Sequence, residues 1–164
     1  MSPKPQQNNK IYLILGTALF ILFLAQDILD IRWTWLYEAQ ADQMFKRWTG
    51  LALSIFILLQ WVLTLVKTIN NWSTQIPLFT KIHKWSGAVS PLIYYIHSME
   101  FGYAYLFFLS VSYFLNFGLG LLNTDLIKSK SQLYFQGWMI AHVMCSLIIS
   151  FVMLFHVYVV FYYK

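Results

Sequence analysis

The chain has 164 residues, of which 59% are hydrophobic, 20% aromatic and only 10% charged. A soluble domain carries roughly 25% charged residues, so this composition excludes a water-soluble fold and points to a single all-α bundle integral to a membrane. The net charge of +5 comes from basic residues scattered at the ends of apolar segments, which argues against a nucleic-acid partner and for helix anchoring at the membrane surface.

Residues 1–10 form a polar tail with Lys4 and Lys10, and the remainder, 11–164, reads as one transmembrane bundle. The apolar run from Ile11 to Ala25 predicts a first span that continues about a turn past Gln26. Cleavage there as a signal peptide would place Phe23 where a small residue is needed, so the run is read as an uncleaved span. Residues 27–48 mix Asp27, Asp30, Arg32, Glu38, Asp42, Lys46 and Arg47 with Trp33, Trp35 and Tyr37. That mixture suits an interfacial helix or an ordered loop with an aromatic belt. A second span is predicted from about Thr49 to Val66, followed by Lys67. Asn70 to Thr74 make a polar turn, and Pro77 fits the opening turn of the next helix.

From Ile82 to Leu122 the chain stays apolar for 41 residues (122 − 82 + 1), interrupted by Lys84, His97 and Glu100. One helix of that length would measure about 60 Å, twice a hydrocarbon core of about 30 Å. A turn at Ser98 to Gly102 resolves this, giving a third span over about 77–99 and a fourth over about 102–122. Asn123 to Gln136 forms a polar loop with Asp125, Lys128 and Lys130, and a last span runs over 137–162.

Charge placement favours five spans over four. With the N-terminus cytoplasmic, Lys4, Lys10, Lys67, Lys81, Lys84, Lys128 and Lys130 lie inside, seven against the four of Arg32, Lys46, Arg47 and Lys164. Four spans would reduce the split to six against five, and the positive-inside rule prefers the larger bias. The expected location is a bacterial inner membrane. Five spans also make the third and fifth run in the same direction.

The histidines fall into two pairs of identical spacing: His83 and His97, then His142 and His156, each 14 residues apart (97 − 83; 156 − 142). At about 100° per residue, 14 steps make almost four turns, so each pair shares one helix face with Cα atoms about 21 Å apart. Parallel helices over 77–99 and 137–162 would bring His83 to His142 near the cytoplasmic face, and His97 to His156 nearer the opposite face. Imidazole suits iron, haem is held through axial ligands, and ionisable groups at membrane depth are functional by default. The ordinary use of a single membrane histidine is interhelical hydrogen bonding, and a spacing of 3 or 4 would gather side chains around one metal ion. Two equally spaced pairs point instead to two stacked haems, with His83, His97, His142 and His156 as iron ligands. Cys145 stands alone and no Cys-x-x-Cys-His occurs, so these haems are expected to be non-covalent and b-type.

Small residues near the ligands would give a porphyrin room: Gly87 one turn after His83 and Ser146 one turn after His142, with Ala88 and Ser90 nearby. Helix–helix packing is their other use. Lys81 and Lys84 flank His83 and suit haem propionates or simple snorkelling. Pro91 is expected to kink the third span, and Glu100 to cap the turn or face the outer haem.

The stretch His83-Lys84-Trp85-Ser86-Gly87, completed by His97, resembles the His-Arg-x-x-Gly…His helix of the ferric reductase and NADPH oxidase transmembrane domains. Trp138-Met139-Ile140-Ala141-His142 through His156 is similar to their second ligand helix, and the resemblance covers roughly 77–162. The same plan occurs in the cytochrome b of quinol-oxidising respiratory complexes. The resemblance implies transmembrane electron transfer through two bis-histidine haems b, from a cytoplasmic flavoprotein or quinol to an acceptor across the membrane. Those reductases continue into a flavin and nicotinamide domain, whereas no Gly-rich nucleotide signature occurs here. The chain is therefore expected to be an electron-transfer component without a catalytic domain of its own, working with a redox partner protein or within a larger membrane complex. Two alternatives compete. One is the cytochrome b anchor of a quinone-linked dehydrogenase, with quinone as a further cofactor. The other is a metal-ion transporter or structural membrane subunit, against which the scarcity of carboxylates in the spans counts.

Overall fold

The structure, a computed structural model, describes residues 11–122, 127 and 131–163. These residues are all-helical and contain no strand. Helix α1 spans Ile11–Ile28 and stops at a turn in which Asp30 adopts a positive φ of 52°, a conformation that Asp tolerates better than most side chains. Helix α2, Thr34–Ala41, buries Leu36 and Gln40 and leaves Trp35 and Tyr37 exposed. The mixed segment after the first span is thus helical in its centre.

Asp42 separates α2 from α3, Gln43–Leu59, and its carboxylate accepts a hydrogen bond from the Met44 amide at 3.1 Å. The second apolar helix therefore begins six residues before the expected Thr49. An Asp N-cap contributes about 1 kcal/mol, and Lys46 and Arg47 can keep their charged ends at the rim while their stems lie on the helix. The helix tightens where Gln60 and Trp61 donate to Ile57 and Leu58, three residues back, and resumes as α4, Val62–Thr68. A 3₁₀ turn over Asn70–Gln75 leads to α5, Ile76–His97, which carries Pro77 in its first turn and remains helical through Pro91. The turn after α5 contains Gly102 at φ 78° and Ala104 at φ 55°. Helix α6 covers Tyr105–Leu121.

The last helix, α7, spans Gln132–Tyr162 and starts five residues before the expected Gly137, capped by the Ser131 hydroxyl, which accepts from the Tyr134 amide. The expected polar loop is shortened accordingly. Asp125, Lys128, Lys130 and the tail 1–10 lie outside the described residues.

Contacts set the direction of each pass. Tyr12 meets Trp85, Gly16 meets Ala88, Phe23 meets Tyr94, and Gln26 donates to the Met99 carbonyl, so α1 and α5 run parallel. Thr49 reaches His97 while Gln60 reaches Ser86, so α3 opposes α5. Tyr105 meets His156, Asn116 meets Ser146 and Trp138 meets Leu119, so α6 opposes α7. The helical stretches α1, α3–α4, α5, α6 and α7 thus alternate in direction. Three of them, Ile11–Ile28, Gln43–Thr68 and Gln132–Tyr162, are long and apolar enough to cross a membrane. Helix α6 is apolar but shorter. The outward faces carry large apolar side chains, among them Ile14, Ile55 and Phe151, which suit hydrocarbon contact rather than water. Phe23, Leu53, Tyr94, Tyr113, Phe114 and Ile149 fill the centre.

Candidate cofactor site

Parallel α5 and α7 present their histidines at two levels. At the first, the His83 and His142 rings stand with centroids 6.2 Å apart and planes at 84°. Two imidazoles bonded to opposite sides of one metal, at about 2.0 Å per bond, would have ring centres about 6.3 Å apart. The Nδ1 atoms of both rings are buried without a hydrogen-bond partner. Main-chain carbonyls of Gln60 and Asn116 face the two rings, yet neither closes a hydrogen bond of good geometry with Nδ1. A buried polar atom left in this state costs about 1–3 kcal/mol, and only a group that engages Nδ1 itself would offset it. Two facing imidazoles could hold a metal only if further ligands came from elsewhere, and among the described residues no third His, Cys, Asp or Glu joins them.

Each of these histidines is followed one turn later by a serine held from a neighbouring helix. Gln60 Nε2 donates to Ser86 Oγ at 3.0 Å, and Ser86 Oγ donates to the Ile82 carbonyl at 2.8 Å. Asn116 Nδ2 donates to Ser146 Oγ at 3.0 Å, and Ser146 Oγ donates to the His142 carbonyl at 2.8 Å. Ser146 is thus engaged with α6 and with the backbone of the histidine it follows. A β-carbon on Gly87 would meet nothing within 4 Å, so the space beside it is open. Trp138 stacks on His142 with ring planes 8° apart, and its indole donates to the Leu119 carbonyl at 2.7 Å. A β-carbon on Gly120 would lie 3.6 Å from His142 Cε1. Lys84 places its ammonium over the Tyr12 ring at 5.6 Å, while Lys81 is exposed.

At the second level His97 and His156 line one cavity of about 540 Å³, within the roughly 300–1,000 Å³ of sites for small molecules and cofactors. Thr49 Oγ1 lies 3.3 Å from His97 Nδ1, and the Tyr105 hydroxyl lies 3.3 Å from His156 Nδ1. Hydroxyls at both Nδ1 atoms leave Nε2 as the other nitrogen of each ring, an arrangement that orients an imidazole ligand from behind. His97 sits at the last position of α5, and that helix end is tied down by Gln40. Its amide donates to the Tyr95 and Ile96 carbonyls at 2.8 and 3.1 Å and accepts from the Met99 amide at 3.2 Å. Glu100 faces Arg32 at 2.9 Å and so ties the α5–α6 turn to the end of α1.

Thr49, Gly50, Tyr105 and Gln40 are absent from the set that spacing selects. Their partners lie 47 to 59 residues away, and local periodicity is blind at that range. Glycine or hydroxyl residues on the flanking helices are the signal that a search around each histidine would have used. No protein-family model, no curated protein and no solved structure matches this chain.

Proposed function

We propose that this chain is a five-span membrane electron carrier that holds two b-type haems, one between His83 and His142 and one between His97 and His156. The observation that carries the reading is the 6.2 Å approach of the His83 and His142 rings on parallel helices. The cavity that His97 and His156 line supports a second site of the same kind. Bound iron porphyrin would supply one-electron redox chemistry, with His83 and His142 as the residues that would hold one group and His97 and His156 the other.

The protein's own part is to orient four imidazoles, to separate the two levels by about 21 Å of helix, and to exclude water with the aromatic core. Thr49 and Tyr105 orient His97 and His156. Electrons would enter from a cytoplasmic flavoprotein or quinol and leave to an acceptor on the other side, with the N-terminus cytoplasmic as the lysine bias favours. The test is a spectrum. Purified chain from haem-replete cells is expected to show a Soret band, a sharpened α band on dithionite reduction, and about two haems per chain by pyridine haemochrome. A colourless, iron-free protein overturns the reading.

A further inference from the structure

Helix α3 brings two cations to the mouth of the cavity between His97 and His156. Lys46 and Arg47 both line it, together with Gly50, on whose backbone the His97 ring rests. The Lys46 charge acts on both the His97 and His156 rings. The carboxylate at the same mouth is Glu100, and Arg32 lies 2.9 Å from it. Among the described residues neither Lys46 nor Arg47 enters an ion pair. The remaining titratable groups lining the cavity, Tyr94, Tyr113 and Tyr163, bring no formal negative charge while protonated. A mainly apolar pocket with two uncompensated cations at one edge matches a planar amphiphile that carries acid groups on one side.

We infer that Lys46 and Arg47 receive the two carboxylates of the macrocycle held between His97 and His156, so that its acid edge points toward the first turn of α3. This rests on the haem reading above and adds to it an orientation and a chemical requirement. It concerns the His97/His156 level alone and leaves Lys81 and Lys84, beside His83, as candidates for the acid groups of the other haem. A guanidinium beside an ammonium forms charge-assisted bonds to carboxylates stronger than neutral ones, and in a site shielded by apolar walls they are screened less than surface pairs.

The experiment compares haemin with haemin dimethyl ester, whose acid groups are masked, on the full chain prepared without haem, using wild type and Lys46→Gln/Arg47→Gln. His83→Ala in both backgrounds restricts the signal to the His97/His156 level. Wild type is expected to retain haemin at least about tenfold longer than the ester, one charge-assisted contact being sufficient for that factor. The double variant is expected to lose the preference and to move this haem's potential to a more negative value, because removing nearby positive charge disfavours the reduced, less positive iron. Lys46→Arg/Arg47→Lys keeps both charges and is expected to restore the preference, which separates charge loss from misfolding. Equal retention of haemin and its ester by wild type, or an unchanged potential in the double variant, overturns the assignment while leaving the haem reading intact. No Soret band with either compound in wild type defeats the haem reading itself and this inference with it.

Discussion

The His97 ring lies so close to Gly50 that a β-carbon there would stand 2.8 Å from Cε1, 3.2 Å from Nδ1 and 3.4 Å from Nε2. Real side chains do not approach an aromatic ring edge this closely, so Gly50→Ala must displace the imidazole or push α3 away from α5. Overpacking of this kind costs about 1–3 kcal/mol. Gly50→Ala is expected to lose or shift the spectrum of one haem, the same one affected by His97→Ala. Gly87→Ala, whose new methyl would meet nothing within 4 Å, is expected to leave both haem spectra as in wild type. Redox-resolved absorbance spectra of the two variants side by side test this, and identical behaviour would mean that Gly50 has no special place.

Removing the four histidines one at a time tests the proposed pairing. His83→Ala and His142→Ala are expected to lose a common haem, because these rings face each other at 6.2 Å. His97→Ala and His156→Ala are expected to lose the other, since they share a cavity. Titrated potentials distinguish the two haems. A match between His83→Ala and His156→Ala would require α5 and α7 to run antiparallel.

Gln40 joins α2 to the α5 end through three hydrogen bonds. An amide can donate to two carbonyls and accept from an N–H at once, which a carboxylate cannot. Gln40→Glu leaves the Tyr95 and Ile96 carbonyls without their donor and is expected to cost on the order of 2–3 kcal/mol at about 1 kcal/mol per bond plus desolvation. The thermal midpoint in detergent is expected to fall. Amide exchange at Met99 is expected to accelerate more than exchange near His83, and uniform acceleration along α5 would count against this local role.

Arg32 bridges Asp30 and Glu100, each at 2.9 Å, from an exposed position. The hydrogen bond to Asp30 raises the arginine's already high pKa further. A cation whose pKa is raised on folding contributes its stability below the unfolded value and loses it only as pH rises through the folded one. Between mildly acidic and mildly alkaline pH the Arg32 contribution is therefore expected to stay constant, while salt weakens it by screening. Arg32→Leu is expected to raise proteolytic nicking of the 98–104 turn at low salt, with wild type approaching the variant in molar salt. Salt-independent nicking of wild type would dissociate the ion pair from the order of that turn.

Helical periodicity by itself determined that His83 and His97 share one face of a helix and that His142 and His156 share another. That relation is set by 3.6 residues per turn within a single element, so no knowledge of neighbours is needed. The same holds for the division of Ile82 to Leu122 into two helices, which follows from length against bilayer thickness. Helix starts were less legible. Asp42 and Ser131 begin α3 and α7 earlier than hydropathy predicts, because a cap acts through one local hydrogen bond while hydropathy averages over charged stems such as those of Lys46 and Arg47. What surrounds each imidazole was decided only by tertiary structure. Gly50 under His97, Tyr105 behind His156, and the Gln40 clasp on residues 95–99 depend on how α2, α3 and α6 rotate about their axes. Those rotations are settled by packing among side chains far apart in the chain, such as Phe23, Tyr94 and Phe114, and no spacing along one helix records them.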